Sequence, residues 1–287
     1  MLNIDLHCHS NVSDGVLSPA GVVARAVANG VHALALTDHD DVAGLPAAQA
    51  AADLAGMTLI NGVEISVTWG KQTVHIVGLR IDPAHPELAK GLHDIRLGRI
   101  ERARRMSDDL AQSGVIGAYE GAYDYAANKQ MIGRTHFARW LVAQGHAPDI
   151  RTAFKRYLTR GHPGYVEHQW TSLENAVGWI RASGGMAVVA HPGRYAFNAR
   201  ELHLLLDAFR ALGGEGIEVI TGSHHPSEYG KFADLARAFS LKASRGADFH
   251  APGEGIDIGC LPALPYYCQP VWHGWPELAP YLSLSTA

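Results

Sequence analysis

The chain has 287 residues, of which 47% are hydrophobic and 18% charged, so it can form one large α/β domain or one domain with an insertion. This composition excludes a disordered chain, and no apolar run approaches the roughly 18 residues of a membrane span. The N-terminus shows no secretory signal, and three cysteines are too few for a disulfide framework. We therefore expect a cytoplasmic protein.

The net charge of −4 is unevenly distributed along the chain. The stretch from Lys90 to Arg160 contains 13 of the 24 Lys and Arg residues but only seven of the 28 Asp and Glu residues. A basic middle segment therefore interrupts an acidic remainder. Carboxylates suit metal ions, whereas Arg and Lys suit phosphate-bearing substrates. The 17 histidines add to the metal-ligating side chains that the chain can supply.

The N-terminal part alternates predicted strands and helices. Ser18 is typical of a helix N-cap, Pro19 of the first helical position, and Gly30 of a helix end. The repeated alternation predicts a parallel sheet or barrel. The predicted elements here are an extended start at 2–10, strands at 32–37, 58–63 and 73–81, and a second helix at 46–55.

The pattern changes in residues 91–164, which are basic, rich in helix formers and without a β period. We predict that this segment is a helical insertion covering the active site, and that residues 1–90 and 165–287 form the barrel. The α/β rhythm resumes with a helix at 173–183, and strands follow at 186–190, 216–220 and 242–247. The Pro-rich tail from Leu261 is expected to wrap the surface.

The strongest local motif is His7-Cys8-His9. Residues two apart in a strand point to one face, so both imidazoles can reach one cation, while Cys8 points into the core. Further candidates follow or lie within predicted strands, where the functional side chains of β/α barrels gather. These candidates are Asp38-His39-Asp40, Glu64, His75, His191, Asp248 and His250. Imidazole and carboxylate without thiolate favour Zn²⁺, Mn²⁺ or Fe²⁺.

The distributed motifs resemble the PHP (polymerase and histidinol phosphatase) family. They are Asp-Leu-His-Cys-His-Ser (5–10), Ser-Asp-Gly (13–15), Leu-Thr-Asp-His-Asp (36–40), Gly-Val-Glu-Ile-Ser (62–66), His75, Ala-His-Pro (190–192) and Asp-Phe-His (248–250). The resemblance implies a distorted (β/α)₇ barrel with an inserted, mainly helical subdomain and three divalent metals. By resemblance, the first metal is held by His7, His9, Glu64 and Asp248, the second by Glu64, His75 and His191, and the third by Asp14, His39 and His250. Asp14 stands where many relatives have histidine, which favours Mn²⁺, with Zn²⁺ or Fe²⁺ as alternatives.

The insertion resembles a subgroup that contains 3′,5′-bisphosphonucleotide phosphatases and 5′→3′ exoribonucleases. The similarity lies in Ile132-Gly133-Arg134-Thr135-His136-Phe137-Ala138 and in Tyr157-Leu158 followed by Gly161, Pro163 and Tyr165-Val166. Arg134 and His136 are the predicted phosphate-gripping residues, and Arg194 and His224 are further candidates for substrate contact. Most arginines from Arg96 to Arg105 are expected to lie on a solvated basic helix face.

These features favour a metal-dependent phosphatase that removes the 3′-phosphate of a 3′,5′-bisphosphonucleotide such as 3′-phosphoadenosine 5′-phosphate. Hydroxide bridging two metals is the predicted nucleophile, with Glu64 and His191 acting as its metal ligands. One alternative is a 5′→3′ exoribonuclease acting on short RNA, and another is an inactive metal-binding module. Amide hydrolysis is disfavoured because no lysine follows a suitable strand. No membrane association and no protein partner are expected.

Overall fold

The computed structural model of the protein describes residues 2–282. Met1 and residues 283–287, which belong to the predicted barrel ranges, lie outside the described residues. Within the described residues, seven strands form one sheet in chain order. They are β1 (Ile4–Asp5), β2 (Ala33–Leu36), β3 (Thr58–Trp69), β4 (Gln72–Leu79), β5 (Met186–Val189), β6 (Gly216–Thr221) and β7 (Lys242–Gly246).

The sheet closes almost completely into a barrel. The Leu6 N–H donates to the carbonyl of Arg245 at 3.0 Å, and the Asp248 N–H donates to that of His7 at 2.8 Å, so β7 and its extension meet β1. Most neighbours are parallel, but β4 is antiparallel to both β3 and β5. This differs from the parallel arrangement that the alternation predicted, because β3 and β4 form a hairpin whose turn contains Gly70 at φ +59°.

Ten α-helices within residues 2–282 connect and surround these strands. The predicted cap of the first helix is present, since the Gly21 N–H donates to Ser18 Oγ at 3.1 Å. The helices are α1 (Pro19–Ala28), α2 (Leu45–Ala55), α3 (Pro86–Gln112), α4 (Ala118–Tyr125), α5 (Arg134–Ala143), α6 (Ile150–Ala153), α7 (Leu173–Ala182), α8 (Ala199–Ala211), α9 (Tyr229–Ala238) and α10 (Ala279–Leu282). A π-helical turn, Phe154–Leu158, continues α6. No helix within residues 2–282 is both long and apolar enough to cross a membrane.

The two faces of the strands enter different apolar clusters. In β2, Leu34 and Leu36 pack outward against the helices, whereas Ala33 and Ala35 point into the barrel. The interior cluster also contains Val271 and other buried residues of the C-terminal segment. The Val271 N–H donates to the Ala243 carbonyl at 2.9 Å. The expectation that the tail wraps the surface is therefore wrong for Val271, Trp275 and Leu278, because these apolar side chains are buried in the interior cluster.

The helices between β4 and α7 have an apolar cluster of their own. Its buried members run from Ala103 to Val166. The first turns of α3 belong to the barrel instead, because Gly91 packs so closely on α7 that a Cβ there would lie 2.6 Å from the Trp179 ring. One helix of 27 residues thus extends from the barrel into the helical region. The exact limits of 91–164 as a separate subdomain remain a prediction.

Candidate active site

Four side chains from three parts of the chain converge at one end of the barrel. His7 Nε2 and His9 Nε2 lie 3.2 Å apart. Glu64 Oε2 lies 3.4 Å from the His7 nitrogen and 3.3 Å from that of His9. Asp248 Oδ1 lies 3.6 Å and 3.3 Å from the same two nitrogens. The four atoms lie within 4.8 Å of one another, close enough to hold a single ion.

Glu64 joins this group to a second one. Its Oε1 lies 2.9 Å from His75 Nδ1 and 2.9 Å from His191 Nε2, and its Oε2 lies 2.9 Å from His39 Nδ1. One carboxylate therefore faces imidazoles on both sides. Glu64 would therefore be available to hold a cation on either side.

A third group surrounds Asp14. Its Oδ1 lies 3.2 Å from His250 Nε2 and 4.0 Å from His39 Nε2. The hydroxyl of Thr135, at the start of α5, donates to Asp14 Oδ2 at 3.0 Å. All nine metal ligands expected from the sequence thus meet in one cluster, and the helical region contacts it directly.

Strand geometry explains the convergence. His7 and His9 follow β1 with the i, i+2 spacing that places both imidazoles on one side, while Cys8 points away and its thiol donates to the Ala35 carbonyl at 3.2 Å. His75 lies inside β4, yet it pairs with Ser66 near the end of β3 because β4 runs in the opposite direction. The antiparallel strand therefore brings an internal histidine to the same barrel end as the others.

Several buried atoms here form no hydrogen bond within the described residues, although most of them lie close to an oppositely charged group. They include Asp14 Oδ1, Glu64 Oε2, Asp248 Oδ1, His39 Nδ1 and His75 Nδ1. Unpaired buried carboxylate oxygens and ring nitrogens are energetically costly in a protein interior. Oxygen and nitrogen donors without a thiolate fit borderline divalent cations. The donor set therefore fits bound metal ions.

Burial and charge set the protonation of the cluster. Burial, with neighbouring His250 and His39, lowers the pKa of His9 to about 3, and burial with the Arg194 charge lowers the pKa of His191 to about 3. Burial opposes protonation of His250, but Asp14 raises its pKa to about 9. Burial also opposes ionisation of Glu64, but the surrounding imidazoles hold its pKa well below the usual range. Asp14 thus favours the protonated form of His250, and the imidazoles favour the ionised form of Glu64.

Glu218 on β6 contacts two members of the cluster, and it was not among the site residues predicted from the sequence. Its Oε1 accepts from His7 Nδ1 at 2.8 Å, and its Oε2 accepts from the His191 N–H at 2.6 Å. The second bond fixes a residue with a strained φ of +25°. A carboxylate that orients a ligating histidine through its other nitrogen is common at metal sites. A buried acid within an apolar strand was the available signal.

A buried ion pair supports the loop after β2. Asp40 accepts from the Ser66 N–H at 2.7 Å and from the Ser66 hydroxyl at 2.9 Å. It is also paired with Arg99 of α3, whose guanidinium stacks over Trp170 at 4.6 Å. Arg99 and Arg102 are both buried. The expected solvated basic face is therefore wrong for these two arginines, because α3 turns them toward the barrel.

Two cavities that share several lining residues lie next to the cluster, and only the one called the inner cavity is lined by members of the cluster. The inner one has a volume of about 110 Å³ and is lined by Asp14, His39, His75 and several arginines. The outer one has a volume of about 780 Å³. Arg134 and Arg194, both expected from the sequence to contact substrate, line the two cavities. Arg194 also donates to Asp248 Oδ2 at 2.9 Å.

The other two residues expected to contact substrate have different positions. His136 is 1% exposed and its Nδ1 accepts from the Gly133 N–H at 3.1 Å, so it caps α5, and neither cavity is lined by it. His224 is also buried, stacks on Phe232 and accepts from the Gly193 N–H at 2.9 Å. Both rings are used within the fold, so a substrate contact is not supported for either. His224 instead braces the loop that follows His191.

Two known proteins are similar to this chain over nearly its whole length. A 3′,5′-nucleoside bisphosphate phosphatase of Chromobacterium violaceum is 55% identical over 273 residues, which cover 95% of this chain and 96% of that protein. A 5′-3′ exoribonuclease of Haemophilus influenzae is 41% identical over 268 residues, covering 93% and 97% of the two chains.

Solved structures share the fold. One from Chromobacterium violaceum, described as an amidohydrolase with bound sulfate and no metal, has a TM-score of 0.92 at 55% identity and covers 94% of this chain and 95% of that one. Another, described as a candidate metal-dependent phosphoesterase of Bifidobacterium adolescentis, has a TM-score of 0.80 at 27% identity, with 89% and 92% covered. The model of the PHP domain matches residues 5–221. The expected barrel and family are thus confirmed, and the chain belongs to the PHP domain family of metal-dependent phosphoesterases.

Proposed function

We propose that this enzyme hydrolyses the 3′-phosphate of a 3′,5′-bisphosphonucleotide, a small-molecule substrate such as 3′-phosphoadenosine 5′-phosphate. One observation carries the proposal: a compact imidazole and carboxylate cluster opens into a cavity lined by arginines. The cluster suits the reacting phosphate, and the arginines suit further negative charge on the same molecule. The similarity to a nucleoside bisphosphate phosphatase supports this choice.

Three divalent cations, with Mn²⁺ favoured over Zn²⁺ or Fe²⁺, are the proposed cofactors. His7, His9, Glu64 and Asp248 would hold the first, Glu64, His75 and His191 the second, and Asp14, His39 and His250 the third. When bound, such ions neutralise phosphate oxygens and make water more acidic. The close approach of these donor atoms, several of which form no hydrogen bond within residues 2–282, supports the assignment.

The protein's own groups would orient the substrate. Arg194 lines both cavities and donates to Asp248 Oδ2, so its guanidinium would lie next to the reacting phosphate. His191 is held by Glu218 through its N–H and by Glu64 through Nε2, so its ring has one fixed orientation. Residues 91–164 would cover the site, since α5 contributes Arg134 and Thr135 to the inner cavity.

A second candidate function is 5′→3′ removal of nucleotides from short RNA. The outer cavity of about 780 Å³ exceeds the inner one several-fold and carries Lys71, Arg160 and Tyr165 on its walls. Such a surface can contact a further nucleotide. The 41% identity to an exoribonuclease adds support. The phosphatase remains the preferred function because the more similar relative has that activity.

The test is incubation of the Mn²⁺-loaded protein with adenosine 3′,5′-bisphosphate. We expect inorganic phosphate and adenosine 5′-monophosphate as products. The variant His191→Ala should lose most of the activity, whereas His203→Ala, which removes an exposed histidine on α8, should retain it. Mononucleotides released only from oligomers would favour the nuclease, and no product from either substrate would leave only a metal-binding module. Equal activity of both variants would contradict the role given to His191.

A further inference from the structure

Arg102 and Arg134 line both the inner and the outer cavity, and the region they share is called the junction. Both lack a carboxylate partner among the described residues. Arg102 on α3 is 8% exposed, and its Nε donates weakly to the Val166 carbonyl at 3.4 Å. Arg134, the first residue of α5, donates to the Leu158 carbonyl at 3.4 Å. Neither guanidinium lies within ion-pair distance of an Asp or Glu in residues 2–282.

Three nearby arginines, in contrast, each have a carboxylate partner. Arg99 is paired with Asp40, Arg160 with Glu167 at 2.6 Å and Arg194 with Asp248 at 2.9 Å. Arg102 and Arg134 repel each other, and burial together with this repulsion lowers the pKa of Arg102 to about 9. Burial also lowers the pKa of Arg134. A buried cation without a counter-charge is costly unless a ligand supplies that charge.

The pair also has a suitable position. Both side chains line the inner cavity together with Asp14, His39 and His75, and both line the outer cavity. They therefore face the space between the metal-ligating cluster and the wider opening. Arg134 stands at the N-terminus of α5, and Gly133 and Thr135 beside it line the same inner cavity. The positive end of a 10-residue helix adds to the attraction for an anion.

The packing favours recognition over a purely structural role. Arg102 stacks over Trp170 at 5.2 Å from the ring centroid, and Arg134 lies 5.9 Å from the Phe154 centroid. These rings contact the two side chains, and each guanidinium forms only one long hydrogen bond within residues 2–282, which leaves other N–H groups available. An arginine fork with free N–H groups matches phosphate oxygens.

We propose that Arg102 and Arg134 form a receptor for the phosphate that the enzyme does not hydrolyse. This inference rests on the proposed function, under which that group is the 5′-phosphate of the nucleotide. Holding it at the junction directs the 3′-phosphate toward the cluster and the base into the outer cavity. The pair thereby makes a second phosphate a requirement for efficient turnover.

The experiment compares kcat/KM of the Mn²⁺-loaded enzyme for adenosine 3′,5′-bisphosphate and for adenosine 3′-monophosphate. Arg102→Met keeps an unbranched stem over Trp170 but removes the charge. It should reduce the preference for the bisphosphate about 10- to 100-fold, because it removes charge-assisted hydrogen bonds from the 5′-phosphate. The matched control is Arg105→Met, which removes an exposed arginine of the same helix that lines neither cavity. It should change the preference less than about twofold.

Two further measurements keep the inference testable. Arg134→Met should produce the same loss, and it carries the test if thermal unfolding shows that Arg102→Met does not fold. Calorimetric titration of the chelator-treated full chain with adenosine 5′-monophosphate should show binding that Arg102→Met or Arg134→Met removes.

The outcomes separate this inference from the proposed function. If the enzyme cleaves only short RNA, the proposed function fails, and 5′-phosphorylated and 5′-hydroxyl oligonucleotides replace the two adenosine substrates. Loss of the preference for the 5′-phosphorylated form in Arg102→Met would then still support the receptor. Equal losses on both substrates, or unchanged binding of adenosine 5′-monophosphate, would overturn it whichever reaction the enzyme catalyses.

Discussion

Replacing Glu218 by Gln tests how the barrel holds two candidate metal ligands in place. The carboxylate accepts from His7 Nδ1 at 2.8 Å and from the His191 N–H at 2.6 Å. Glutamine has nearly the same shape, but its amide group can accept only one of these bonds and turns a donor toward the other. The change therefore removes one charge-assisted hydrogen bond and leaves a buried N–H facing another donor.

The size of the effect follows from these contacts. A buried hydrogen bond to a charged group contributes about 1.5–3 kcal/mol, and loss of a carboxylate behind a ligating histidine lowers metal affinity about 10- to 100-fold. His191 has a positive φ of 25°, so weakening its N–H bond also releases strain and lets the ligand move. We expect Glu218→Gln to lower Mn²⁺ affinity by that factor and kcat by less at saturating metal.

The assay is calorimetric titration of Mn²⁺ into chelator-treated protein, with activity measured against metal concentration. Glu215→Gln is the matched control, because Glu215 precedes the same strand but forms a partly exposed ion pair with Lys242 at 3.0 Å. That variant should bind Mn²⁺ as the unaltered protein does. A Glu218→Gln protein with metal affinity within about twofold of the control would refute the orienting role.

Two further predictions concern stability. Asp40→Asn leaves the buried Arg99 charge uncompensated, so we expect urea unfolding to show a loss of about 3–5 kcal/mol, and a loss below 1 kcal/mol would mean that Arg99 finds another partner. Burial lowers the pKa of His136 from 6.5 to about 4, so the unfolded chain binds more protons between these values and stability falls as the pH drops through that window. Between pH 7 and pH 5 the chelator-treated protein should lose about 2 kcal/mol more than His136→Asn, in which the amide oxygen can still accept from Gly133. Equal losses in the two proteins would show that His136 is not buried in its neutral form.

Local patterns were sufficient to predict much of this protein. Apolar runs, caps and Gly or Pro punctuation predicted the strands and flanking helices because these signals act between residues close in sequence. The spacing of His7 and His9 predicted that both imidazoles lie on the same side of the strand, because side chains alternate along an extended backbone. The ends of strands then indicated where the other candidate ligands would meet.

Only the tertiary structure decided how distant groups pair. Sequence could not show that β4 runs antiparallel or that Glu218 supports His7 across 211 positions. Nor could it show that Arg102 is buried without a carboxylate partner in the part of the chain that the structure describes. These outcomes depend on sheet register and on the face that α3 turns toward the barrel. The same limit applies to His136 and His224, since the buried N–H that each ring accepts becomes visible only once the elements are packed together. A side chain's role follows from its partners, and partners that are far apart in sequence are brought together only by the fold.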